Sequence, residues 1–576
     1  MTRGGGSTRR EFLKHTAAAA GIAVVWKPAW RRYATASDAS ALPAFPNGIP
    51  VFQQTFENWA REIKVDDLWT CSPANADDVV RVVNWAAQHG YRARARGSMH
   101  GWSPLTVSPG TASSDRIVLV DTTALDTIKM GERAGVPTVT VGAGALLQDV
   151  MATLESHGRG FVATPAPGDV TMGGALAIDA HGSAIPAAGE HRVAGETFGS
   201  LSNLVTSLTV VAWDAASDTY RLRTIDRSDP LAKSVLVHLA RAFVVEATLQ
   251  TAPNVRLRCL SRTDISYKEM FAAPGTKGET FASFVEKAGR VEAIWYAFTD
   301  KPWLKTWSVA PAKPRSAREV TAPYNYPFSD NIPTVLSDQA SRLMRGHGEA
   351  TPEFGETAYV VSARGMQATD SADIWGWSRN VLLYIKPTTM RVTANGYALV
   401  TRRGDIQRVV HEFTTKFVEL RDAYRAQGHY PISMPIEIRV SGLDDPRDSI
   451  VPGAESPSLS ALSPDAAHPE RDVAIWFDIL TFPGTPSSPR FMHEFEQWLY
   501  THFTSYCTVR VEWSKGWAYD AHNGAWTDRD VIGNRIPASL SAGRAADATF
   551  ATTVNRLHAL DPHRVFTSPL VDALMG

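Results

Sequence analysis

Apolar and polar positions follow two periods along this chain, and the change of period marks its organisation. Asp77-Asp78-Val79-Val80-Arg81-Val82-Val83-Asn84-Trp85-Ala86-Ala87 repeats at three and four residues behind an acidic first turn, which predicts a helix. Residues 116–121 form a short, nearly unbroken apolar run, the pattern of a buried strand. Thr138-Val139-Thr140-Val141-Gly142 alternates and stops at glycine, after which 148–157 return to the helical period before Gly158. Residues 42–252 therefore read as short strands alternating with helices.

The pattern changes near Pro253. Beyond it come Trp295, Trp303, Trp307, Trp375 and Trp377, with long connections between predicted strands at 382–385, 435–440, 474–480 and 508–513 and a helix at 490–502. Residues 441–471 are rich in Pro, Ser, Asp and Ala and predict a long loop that could act as a lid. The divisions are 1–41, 42–252, 253–530 and a C-terminal segment, 531–576, returning to the first unit. No solenoid-type repeat is visible.

Composition narrows the function classes. A chain of 576 residues with 44% hydrophobic and 20% charged residues is an ordinary soluble globular sequence of several domains. No stretch reaches the roughly 18 apolar residues of a membrane helix. The formal net charge of −1 gives no reason to expect a nucleic-acid partner. Cys71, Cys259 and Cys507 allow one disulfide at most, and without C-x-x-C a cysteine-built metal site is excluded.

The N-terminus carries Arg9-Arg10, an alanine-rich apolar run from Thr16 to Trp26 and then Ala34-Thr35-Ala36, in an order that resembles a twin-arginine export signal. A secreted or periplasmic protein follows from that resemblance, as does a cofactor loaded before export. Lys27, Arg31 and Arg32 precede the small residues, and Ala39-Ser40-Ala41 is a second cleavage option. Cleavage after Ala36 would remove seven Lys/Arg and one Glu and take the net charge from −1 to −7.

Several motifs fail on inspection. Gly142-Ala143-Gly144 begins like a dinucleotide fingerprint, but Leu147 stands where its third glycine belongs. Neither a phosphate-loop G-x-x-x-x-G-K-[ST] nor a G-x-S-x-G elbow occurs. Asp179, His181, Glu190 and His191 match no metal spacing and read as turn residues, so no metal is expected.

What remains is a set of glycine-rich turns: Arg96-Gly97-Ser98-Met99-His100-Gly101-Trp102, then Val141 to Gly144, then Pro165 to Ser183, which contains Gly168, Asp169, Thr171, Gly173, Gly174, His181 and Gly182. Turns of this kind bring backbone N–H groups close to a ligand and can form a nest for a pyrophosphate. The set resembles the FAD-binding domain of the vanillyl-alcohol oxidase family. That resemblance places FAD on these residues, makes His100 the covalent tether to the flavin, and sets the strand containing Val245 beside the flavin ring. The segments 289–305, Glu437-Ile438-Arg439 and Glu512-Trp513-Ser514-Lys515-Gly516-Trp517 resemble the substrate domain of the type II, covalent-flavin cholesterol oxidases.

The resemblance implies an α+β fold: a two-part FAD-binding domain of the vanillyl-alcohol oxidase type, plus a substrate domain with a large antiparallel sheet flanked by helices. It also implies oxidation of a 3β-hydroxysterol by O2 to the ketosteroid, release of H2O2, and a Δ5 to Δ4 shift. The protein would be a monomer in transient contact with a membrane or micelle. Such chemistry needs a base in an apolar pocket, where burial raises a carboxyl pKa. Glu437 and Arg439 share one face of a strand. The expectation is that Arg439 holds Glu437, with Glu292, Glu512 and Lys515 as further candidates and a bend at Gly516 bringing Lys515 inward. An exposed Glu-x-Arg pair is the plain alternative for Glu437 and Arg439. For the whole protein, oxidation of another alcohol or lactone, or a non-catalytic sterol binder, stays open.

Overall fold

The computed structural model describes residues 42–112, 114–326 and 333–576, so the export-signal reading of 1–41 lies outside the described residues. The helix Ala76–His89 shows how locally the sequence writes its elements. Asn75 caps it by accepting from the Asp78 N–H, Asp77 and Asp78 sit in its first turn, and Gly90 ends it in the left-handed conformation at φ 68°.

Two larger sheets build the first half, beside a two-stranded pairing of Arg159–Gly160 with Ala252–Pro253. One has four strands in the order Val51–Glu57, Lys64–Cys71, Ile117–Asp121, Arg92–Arg96, with its last two pairings parallel. The other has five antiparallel strands in the order Ile128–Arg133, Val136–Gly142, Phe243–Gln250, Val205–Asp214, Thr219–Asp226. The strand Arg92–Arg96 ends directly at the first glycine-rich turn.

The second half is a nine-stranded sheet. Its order is Arg318–Glu319, Asp373–Trp377, Arg256–Arg262, Trp303–Val309, Arg290–Tyr296, Pro435–Gly442, Val473–Thr481, Thr393–Thr401, Thr508–Val511. Only its first pairing is parallel. Helices Ile406–Ala426 and Ser488–His502 cover one face, where Phe413 stacks on Phe477 at 3.7 Å between ring centroids. Ile436, Ile438 and Val440 join this apolar core. The period of two therefore turns Glu437 and Arg439 to the opposite face, toward the first half.

Three expectations are corrected. Residues 378–382 form a helix, Ser378–Leu382, and Leu383 to Ile385 continue without strand pairing beyond a single bridge from Ile385 to Pro167. Nor is 441–471 a lid. Leu459, Ser460, Ala461 and Leu462 are buried, the Trp513 indole donates to the Leu459 carbonyl, and Arg510 donates to the Ala461 carbonyl. Its small polar residues satisfy buried backbone groups, which a mobile cover could not do. The strand predicted at 508–513 stops at Val511.

The C-terminal segment packs on the first half through Asp561. Its carboxylate takes Arg241 and the Tyr220 hydroxyl, and also accepts from the N–H groups of Val565 and Phe566. Asp561 and Arg241 are both buried. Removing one partner of a buried pair strands the other charge, which costs roughly 3–5 kcal/mol. Asp561→Ala is expected to lower unfolding stability by about that amount, read as a lower urea midpoint. A midpoint equal to the wild type would contradict this anchoring.

Candidate active site

A cavity of about 480 Å³ runs between the two halves. One wall is the glycine-rich set: Arg96, Gly97, Ser98, Met99, His100, Gly101 and Trp102, with Pro165, Thr171, Gly173, Gly174 and His181. The opposite wall is the sheet face bearing Glu292, Glu437 and Arg439, joined by Glu512 and Lys515. Gly168 and Gly182 lie behind the wall, and Asp169 supports it. The Val245 side chain is buried in the core of the first half, while Val244 reaches the cavity. The alternation of the strand decides this, since neighbouring side chains point to opposite faces. The Val245 carbonyl instead accepts from the Ala143 N–H.

The first turn is braced from several sides. Arg96 is ion-paired with Asp121 at 3.0 Å, and its carbonyl accepts from the Thr122 hydroxyl. Met99 holds φ 58°, an uncommon conformation for a side-chain-bearing residue. Its carbonyl accepts from the Trp59 N–H at 2.8 Å, and Asn58 donates to the carbonyls of Gly101 and Trp102. Trp102 and Ser103 both donate to the Ser514 carbonyl, which couples this turn to the one bearing Lys515. His100 Nε2 lies 2.9 Å from Asp169 Oδ2, and the Ser98 hydroxyl donates to the Asp169 carbonyl.

These loops fit a bulky dinucleotide at close quarters. A Cβ on Gly97 would stand 2.1 Å from Thr171 Oγ1, so the two turns touch through a gap only glycine leaves. The buried Asp169 Oδ1 has no hydrogen-bond partner, so the wall carries an acceptor with capacity to spare.

The other wall concentrates ionisable groups. Glu292 faces Lys305 and Arg439 across its two neighbouring strands, and Glu437 faces Asp478. The Tyr384 hydroxyl donates to Glu292 at 2.7 Å, and Lys305 Nζ is 3.5 Å from the same carboxylate. Burial, opposed by Glu292, holds the Lys305 ammonium below its usual pKa. Arg439 does not hold Glu437. Its guanidinium bonds Asp478 and lies 3.6 Å from Glu512. Lys515 Nζ is 3.3 Å from Asp478. Glu512 and Lys515 meet through a turn, with the Lys515 N–H donating to the Glu512 carbonyl, and not through a bend at Gly516.

Burial, with repulsion from Glu292, pushes Glu437 up to about 7. Burial and neighbouring charges, not a hydrogen bond, are the causes of that rise. Burial and the neighbouring Asp478 push Glu512 up to about 8, and those two carboxyls share a hydrogen bond. His181 is lowered to about 3, by burial and then Arg439, so it is neutral. It stacks on Trp476 at 3.7 Å and sets Nε2 3.9 Å from Glu512.

Asp478, Lys305 and Tyr384 are functional neighbours that sequence reasoning missed. Asp478 is the one charge in the buried strand Val473–Thr481, and a lone carboxylate in such a run is a detectable signal. Gly396 opposite it is a second. A Cβ there would come within 2.7 Å of Glu512 Oε2 and of Lys515 Cγ.

A nucleotide-sized glycine cradle facing a buried row of acids and bases defines a flavoprotein architecture, and a model of the FAD-binding domain matches residues 69–215. Residues 256–576 match the model described as cholesterol oxidase, substrate-binding. The chain belongs to the cholesterol oxidase family. A solvent-stable cholesterol oxidase is 51% identical, with TM-score 0.91, over 92% of this chain and 99% of its own. The cholesterol oxidase of Brevibacterium sterolicum is 45% identical, with TM-score 0.90, over 93% and 99%. L-gulonolactone oxidase from Bos taurus is 24% identical over 208 residues, 35% of this chain and 41% of that protein. The chain thus spans well under half of that curated relative.

Gly97→Ala is expected to reduce the flavin carried per purified chain, because the added methyl enters the space of Thr171. Flavin absorbance normalised to protein measures it, and full loading would contradict the close-approach argument.

Proposed function

We propose that this protein oxidises 3β-hydroxysterols, cholesterol among them, with FAD and O2, giving the ketosteroid and H2O2 and shifting the Δ5 double bond to Δ4. The observation that carries the reading is Glu437: a carboxylate on the cavity wall, raised to about 7. FAD supplies a hydride acceptor that passes its electrons to oxygen. Glu437 accepts the proton of the sterol hydroxyl as the hydride leaves carbon 3. A base of pKa near the working pH transfers protons in both directions, so the same carboxyl, once it has released that proton, can take one from carbon 4 and deliver it to carbon 6. Glu292, held by Tyr384 and Lys305, adds negative charge that keeps Glu437 basic. Arg439 and Lys515 place positive charge on the same wall, where it would stabilise negative charge on a bound cofactor. Leu336, Phe354 and Val361 give the cavity an apolar end suited to the sterol rings.

His100 is proposed as the covalent tether. Asp169 takes the Nε2 proton, which fixes the tautomer and leaves the Nδ1 lone pair for a bond to carbon. We further propose a monomer exported by the twin-arginine route, on the strength of residues 7–36. It would touch lipid through the helix Thr334–Met344, whose Val335 and Met344 are exposed and whose Leu336 lines the cavity.

The wild type should release peroxide from cholesterol in detergent micelles, with turnover falling as pH drops through about 7, where Glu437 becomes protonated. Glu437→Gln should slow it roughly 10²-fold or more with flavin still bound. Unchanged turnover would remove Glu437 from the mechanism. His100→Ala should release its flavin on denaturation, and flavin still attached to that chain would place the tether elsewhere.

A further inference from the structure

Arg439 has a choice of carboxylates. It lies two residues from Glu437 on the same face of one strand, and Glu437 faces Asp478 directly across the pairing. The guanidinium takes Asp478. Asp478 is fully buried and does not line the cavity, whereas Glu437, Arg439, Glu512 and Lys515 all do. Asp478 also draws in Lys515 at 3.3 Å and shares a hydrogen bond with Glu512, so one carboxyl organises three cavity groups.

We infer that Asp478 is a positioning residue that holds the Arg439 guanidinium off Glu437, and so keeps the Glu437 carboxylate open to the substrate. This rests on Glu437 being the base. The groups around Glu437 are Glu292, Tyr296 and Tyr384, with Lys305 beyond Glu292, Arg439 on its own strand, Asp478 opposite, and Lys515 and Glu512 on the facing turn. Lys305 is engaged by Glu292, and Lys515 by Asp478. Losing Asp478 releases both Arg439 and Lys515, and of the two Arg439 is the one on the strand face that carries Glu437. With Asp478 neutral, Lys515 turns to Glu512 in its own turn, and Arg439 turns to Glu437. A guanidinium in hydrogen-bond contact lowers a carboxyl pKa by roughly 1–3 units and occupies the oxygens that must receive the proton.

The test is Asp478→Asn, measured by anaerobic flavin reduction with cholesterol across pH, with Glu437→Gln, Arg439→Gln and the Arg439→Gln/Asp478→Asn double variant alongside. The expected result for Asp478→Asn is an acid limb at least about one pH unit lower and a rate at pH 7 down roughly tenfold. Losing the Asp478 charge also lowers Glu437 directly. That part persists without the guanidinium, so the shift caused by Asp478→Asn must be smaller in the Arg439→Gln background. An unchanged limb, or an equal shift in both backgrounds, overturns the positioning role. The base reading survives that result if Glu437→Gln is slow, and falls separately if Glu437→Gln reduces flavin at the wild-type rate. A crystal structure of the flavin-loaded wild type needs no variant to fold. Arg439 on Asp478 supports the inference, and Arg439 paired with Glu437 overturns it.

Discussion

The structure depends on the cost of burying charge between two sheets. Glu292, Glu437, Asp478 and Glu512 present four carboxyls to Arg439, Lys515 and Lys305, three cations, on buried or nearly buried side chains. Isolated buried charges are too costly to persist, so each cation must find a carboxylate and the surplus acid must hold a proton. Arg439 and Lys515 settle on Asp478, and Lys305 on Glu292. That leaves Glu512 and Glu437 with raised pKa values of about 8 and about 7. The proton-transferring group is thus what remains after the other charges have paired.

The two halves need each other for this arrangement. The first half offers glycine turns that pack close enough to cradle a dinucleotide, and the second offers the charged face. The Ser514 carbonyl, accepting from Trp102 and Ser103, joins the turn of His100 to the turn of Lys515. His181 on Trp476 makes a second link. The spacing of the two cavity walls is therefore held by backbone contacts at Ser514 and by the ring stack at His181.

Much of this was legible in the sequence, and the failures have physical causes. The glycine turns were readable because backbone approach leaves a composition signature, and the faces of Glu437 and Arg439 followed from a period of two. The partner of Arg439 was not readable, because it lies across a strand pairing and register is a tertiary fact. Asp478 was hidden in an apolar run that reads as core. Tyr384 sits on an irregular segment whose apolar composition mimics a strand. Residues 441–471 looked like a lid because Pro, Ser and Asp serve mobile loops and buried hydrogen-bonded ones alike.

The central claim is that the cavity presents a sterol to FAD and to an uncommitted carboxylate. The most direct measurement is spectral: mix the purified protein with cholesterol in detergent without oxygen, then admit air. The account predicts that the flavin band bleaches and that air restores it. A flavin that stays oxidised with cholesterol, while the protein retains its cofactor, would contradict the sterol assignment and turn attention to other alcohols.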